Sequence, residues 1–114
     1  MSRLAELISK MEGFGIPGAI PTVRHNPGDL RHAPNASHEG EGSNDIGIEP
    51  EDATGWADLE RQLQLFAGRG LTLSQAIYTF APPSQNDTED YLKFVCQELG
   101  CTADTPVSEA LKIA

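Results

Sequence analysis

An acid that ends an apolar helical stripe and is followed by glycine can keep its proton near neutral pH, and Glu12 is placed that way. Leu4, Leu7, Ile8 and Met11 recur at i, i+3, i+4 and i+7, one face of a helix that reaches its end at Glu12-Gly13. The negative end of the helix dipole and the neighbouring Met11 and Phe14 both disfavour a carboxylate, so the Glu12 carboxyl is expected above its ordinary pKa. A carboxyl of that kind is suited to general acid catalysis. The chain that follows, GFGIPGAIPTVRHNPGDLR, is irregular by composition. Gly13, Gly15, Gly18 and Gly28 admit positive φ, while Pro17, Pro21 and Pro27 fix φ and remove donors. Phe14, Ile16 and Ile20 are apolar enough to pin such a loop, and Arg24, His25, Asn26 and Arg31 gather polar side chains within it. Composition alone allows a turn-rich connection with a solvated Glu12. A pinned loop crowded with polar groups is, however, where sites are built.

Other chemistries find less support. Cys96 and Cys101 have no nearby His or further Cys, and His25, His32 and His38 are spread through loop, so no metal set is expected from them. The two cysteines straddle a helix end; a disulfide there is geometrically feasible, but free thiols are the expectation for a chain made in a reducing cytosol. Ser84 has no acid and His at a defensible spacing for a triad. The net charge is −9, and Glu39, Glu41, Asp45, Glu49, Glu51, Asp52, Asp58 and Glu60 fall in one block without Lys or Arg. That block reads as a solvated face, does not match a calcium-loop spacing, and argues against nucleic acid as a partner. No apolar run is long enough for membrane insertion, and the acid-containing N-terminus is not a secretory signal.

The elements that must position these groups are helical. At 114 residues with 39% apolar content, the chain supports a single all-α domain over residues 1–114, with long irregular loops. Ser2 caps the first helix and Gly13 closes it; residues 14–45 read as extended loop, with His32 to Asn44 the most linker-like part. Ile46-Gly47-Ile48 suggests one poor strand. A second helix from Glu51 or Asp52 to about Ala67 presents Trp56, Leu59, Leu63 and Phe66; Trp56 reads as core first and sugar-stacking platform second. Thr72 and Gln75 form a capping box for a third helix that stops at Pro82-Pro83. Asn86 or Asp87 caps a fourth, with Glu89 placed to answer Asn86, and Leu92, Val95, Cys96 and Leu99 inward. Thr105-Pro106 opens a last helix as cap and first position.

The order E-G-F, P-G, then H-N-P-G-D-L-R, followed by Tyr78 to Thr88 (YTFAPPSQNDT) and Tyr91, resembles small phage-type lysozyme and lytic transglycosylase domains, distant members of the goose-type lysozyme superfamily. The resemblance spans roughly residues 5–106, with His25 and Asp29 standing where that family usually carries Asn. It implies a lysozyme-like helical fold that cleaves the β-1,4 bond between N-acetylmuramic acid and N-acetylglucosamine in peptidoglycan. Glu12 would be the general acid, with Tyr78, Asn86, Asn26 and His25 contacting the glycan strand. The HNPGDLR loop should lie against Glu12, with Asn26 tying loop backbone together or reaching the substrate. Glu49 is a candidate second carboxylate only if the middle of the chain folds over Glu12. The resemblance further implies no cofactor and no metal. A monomer is expected, made in the cytoplasm because the N-terminus is no secretory signal, and reaching the wall or periplasm only if another factor releases it. The alternative, drawn from His25, Asp29 and the acidic middle, is a non-catalytic glycan- or protein-binding module of a phage particle or secreted effector.

Overall fold

In the computed structural model, which describes residues 1–37, 46–84 and 86–114, the helical stripes read from the sequence become helices packed on one core. The chain runs through α1 (Arg3–Glu12), α2 (Ile20–Val23), α3 (Asp52–Gly68), α4 (Leu73–Phe80), α5 (Thr88–Leu99) and α6 (Val107–Ala110). Among the described residues these six helices are joined by loops, and the only extended pairings are isolated bridges, Ser37 to Ile48 and Thr72 to Pro106. The fold is therefore a small, compact all-α domain.

Each helix has a local cause. Ser2 Oγ accepts from the Ala5 N–H at 3.1 Å, and Gly13 closes α1 at φ 91°. Ser2 also donates its hydroxyl to Glu60 at 2.7 Å, which fastens the start of α1 to α3. Leu4, Leu7 and Ile8 are buried against α3 and α5, but Met11, the last member of the stripe, is 39% exposed. In α3, Leu59, Leu63 and Phe66 face the core; Trp56 is half-buried, edge-to-face with Phe14 at 5.4 Å, so it pins the loop after Glu12. Both bonds of the Thr72–Gln75 capping box are present, at 3.2 and 2.9 Å. Leu73, Ala76 and Ile77 of α4 and Leu92, Val95 and Leu99 of α5 complete the core, with Val107 and Ala110 of α6. Cys96 and Cys101 are free thiols, and burial pushes the Cys96 thiol up to about 11.

Several expectations are corrected. The loop region contains α2, because Pro21 sits in its first turn, where its missing N–H costs nothing and its fixed φ is already helical. Ile46-Gly47-Ile48 makes one bridge rather than a strand. Asp87 alone caps α5, accepting from Asp90 N–H at 3.3 Å. Glu89 instead receives the Tyr78 hydroxyl, so the second capping box is absent. At α6 the cap is Pro106, one residue later than read, because Thr105 turns its hydroxyl back to the Thr102 N–H. Of the linker-like stretch and the acidic block, residues 38–45, with His38, Glu39, Glu41 and Asp45, lie outside the described residues.

The loop of residues 25–31 is built as a rigid clasp on α3. Asn26 is fully buried; its amide donates to Leu30 O (2.8 Å) and Gly47 O (3.0 Å), and its carbonyl accepts from Leu30 N–H (3.0 Å). Removing these bonds would strand buried backbone groups, so Asn26→Ala should cost about 2 kcal/mol in urea unfolding. Gly28 is required by proximity rather than by positive φ: a Cβ there would lie 2.8 Å from Leu59 Cδ1. The positive φ angles fall instead on His25 (52°) and Asp29 (53°).

Candidate active site

The end of α1, the clasp loop, α3 and the α4–α5 corner meet around a cleft of about 560 Å³. Glu12 enters it from the end of α1. Asp29, Leu30, Arg31 and His32 enter from the loop. Gln62, Phe66 and Arg69 form a stripe along α3, and Thr79, Phe80, Pro82 and Asn86 come from the α4 end and the corner after it. Phe66 and Phe80 meet edge-to-face at 5.6 Å, which gives the cleft a rigid apolar patch between its polar walls.

Among the described residues, Glu12 is held by one direct bond. The Tyr91 hydroxyl donates to Glu12 Oε2 at 2.8 Å, from the buried face of α5. Burial raises the Glu12 carboxyl to about 7; the Tyr91 hydrogen bond opposes that rise and the negative Asp29 adds to it. The carboxyl therefore keeps its proton close to neutrality through burial, one of the two causes expected from the sequence. Tyr91 is itself pushed far up by burial and by Glu12, so its hydroxyl remains a donor throughout.

Asp29 is the second carboxyl of the cleft. Its Oδ1 is buried without a hydrogen-bond partner among the described residues, and burial raises the group against the opposing pull of Arg31 and Arg24. The left-handed backbone at Asp29 turns its side chain out of the clasp; Asp tolerates that conformation better than most residues. Glu49 is not that second carboxyl. It lies fully buried against Asp58 on the other side of the loop, does not line the cleft, and is raised to about 8, first by burial and then by Asp58. No hydrogen-bond partner reaches either Glu49 oxygen among the described residues, while Asp58 accepts from Asn35 N–H (3.1 Å) and Nδ2 (2.7 Å).

Of the residues singled out from sequence, the structure brings Glu12 and Asn86 to the cleft. Tyr78, His25 and Asn26 are not among its lining. Tyr78 turns its hydroxyl to Glu89, His25 lies 2.7 Å from Asp52, and Asn26 is consumed by loop backbone. Trp56 likewise packs on Phe14 instead of facing the cleft. Sequence reasoning missed Tyr91 as the partner of Glu12, although it is one step from Leu92 and four from Val95, on the inward stripe of α5. Arg69, Gln62 and Phe66 share a similar signal, an i, i+4, i+7 row along α3.

The two neighbours of Glu12 act on its proton in opposite senses, which gives a direct test. Tyr91→Phe removes a bond that favours the carboxylate, so the Glu12 pKa should rise. Asp29→Asn removes a negative neighbour, so it should fall. A carboxyl-carbon NMR titration of Glu12 in both variants reads the two shifts, and equal or reversed movements would show that the geometry is wrong. In comparisons with known proteins, no family model, no curated protein and no solved structure matches this chain.

Proposed function

We propose that this chain is a lysozyme-like enzyme that cleaves the β-1,4 glycosidic bond of peptidoglycan, as a muramidase or a lytic transglycosylase, with Glu12 as general acid. The observation that carries the reading is a carboxyl raised to about 7, held by Tyr91 in an open cleft that also presents Asp29. Glycosidic cleavage needs a proton on the departing sugar oxygen, because an alkoxide is a poor leaving group, and a neutral Glu12 supplies it. As the bond breaks, positive charge develops on the sugar ring, and the Asp29 carboxylate in the same cleft favours that charge. The Glu12 carboxylate left behind then accepts a proton from the attacking oxygen, either water or the muramic C6 hydroxyl. Tyr91 stabilises the transient carboxylate by continuing to donate to it. The resemblance of the E-G-F and H-N-P-G-D-L-R segments to lysozyme and transglycosylase domains supports the same assignment.

Purified protein added to Gram-negative sacculi should release soluble muropeptides. Mass spectrometry separates the two chemistries, since 1,6-anhydro ends lack the water gained in hydrolysis. Sacculi that stay intact across pH and salt would sink the enzyme reading. A second reading, a non-catalytic protein-binding module, draws on Ile16, Ile20 and Val23, which are exposed around α2. The same assay divides the two.

A further inference from the structure

The chain carries only eight Lys and Arg against seventeen Asp and Glu, so the position of each cation is informative. Arg3 pairs with Glu6, Lys10 lies over the Phe94 ring, and Arg24 donates to Ile46 O. Two cations line the cleft, Arg31 and Arg69, and neither makes a hydrogen bond or ion pair with a described residue. Arg31 is close enough to hold down the Asp29 carboxyl. Arg69 stands further along, at the C-terminal end of α3, seven residues beyond Gln62 on the same stripe. At the helical rise this row runs about 10 Å along the cleft, away from the first turns of α3 and towards an exposed guanidinium. A protein of net charge −9 repels anions on most of its surface, yet this cleft ends on an unpaired planar donor that fits carboxylate geometry.

We infer that the cleft accepts an anionic strand, with Arg69, assisted by Arg31, forming a subsite for carboxylate groups carried by the glycan rather than for neutral sugar. This rests on the glycan-cleaving reading and deepens it. The carboxylates available on such a strand are those of the attached peptides or, where a peptide has been removed, that of the lactyl ether to which it was amide-linked. Neutral N-acetylglucosamine polymers offer none. Arg69 is therefore a specificity residue of the strand-binding cleft, placed apart from the proton transfer at Glu12.

The test uses the Glu12→Gln protein, so that binding is read without cleavage, and three probes. These are peptide-bearing glycan strands, strands stripped of peptide by an amidase, and chitin oligosaccharides of matched length. At low salt, calorimetry should give about ten-fold tighter binding of at least one anionic probe than of chitin, weakening as salt rises. Tight binding of the peptide-bearing strand alone assigns the carboxylates to the peptides, tight binding of the stripped strand alone assigns them to the lactyl groups that the amidase has freed, and tight binding of both shows a subsite that takes either carboxylate. Adding Arg69→Gln, a change at an exposed helix end that leaves the core untouched, should remove most of the preference while chitin binding stays the same. Equal binding of all three probes, or a preference that survives Arg69→Gln, overturns the inference even if sacculi are cleaved by the parent protein. No binding to any probe, together with uncut sacculi, overturns the glycosidase reading as well.

Discussion

Glu12→Gln should reduce muropeptide release by about 10²–10⁴-fold while the helices stay intact. Gln preserves the size of the side chain and an acceptor for the Tyr91 hydroxyl, but it has no proton to give a departing alkoxide. On that reading, muropeptide release by the parent protein should fall as pH rises through about 7, where Glu12 ionises, well above the ordinary carboxyl range. Stability should move with the same proton. The folded chain retains it up to about 7 and the unfolded chain releases it near 4.5, so burial of Glu12 favours the fold fully below 4.5 and progressively less as pH rises towards 7 and beyond. The Gln variant escapes this loss. Denaturant titrations should therefore find variant and parent similar at pH 4 and the variant more stable at pH 8. The buried Glu49 carboxyl imposes its own decline in both proteins, and subtraction removes it. A variant that is inactive because it is misfolded would be less stable at both pH values.

Gly55→Ala should cost the fold about 3 kcal/mol or more, at the upper end of what overpacking does. Gly55 lies within α3 directly beneath the clasp loop, and a Cβ built there would meet His25 O at 2.0 Å and Pro27 Cδ at 2.7 Å. The first of these is backbone, which cannot swing aside as a side chain would. Either the loop lifts from α3 or the helix shifts under it, and in both cases Asp29 and Arg31 leave their places in the cleft. Gly68→Ala is the matched control in the same helix. Nothing lies within 4 Å of its added methyl, so the ordinary preference of helices for Ala applies, and a gain of up to about 1 kcal/mol is expected. Chemical unfolding of the two variants beside the parent measures the contrast. Similar stability of both would mean that the clasp does not rest on α3 as described.

That clasp also shows where the sequence stopped being readable. Apolar spacing located α1, α3, α4 and α5, and cap chemistry found the Thr72–Gln75 box, because these depend on residues within a few positions of one another. A four-residue helix such as α2 leaves too little periodicity to register, and its start at Ala19 has no side-chain cap. Glu12 stood out through its local setting. Its partners did not, since a tyrosine on a buried stripe looks like core until the facing helix is known. Asp29 is marked in the sequence only as a residue standing where the resembled family carries Asn; its place in the cleft depends on a left-handed turn that falls on Asp29 itself and not on Gly28 beside it. Tyr78 and His25 were singled out by their surroundings in sequence, whereas Glu89 and Asp52 turn them to other duties.

The bond between Glu12 and Tyr91 joins positions 79 residues apart. Helices α1 and α5 can each form from local contacts, but this bond requires the long intervening chain to have been closed into a loop. The low-polarity setting of the Glu12 proton is therefore absent from any species in which α5 has yet to dock. During refolding, proton uptake by this carboxyl at pH 6 should coincide with the docking of α5 rather than with the appearance of helix, so the acid reports on the completion of its own cleft.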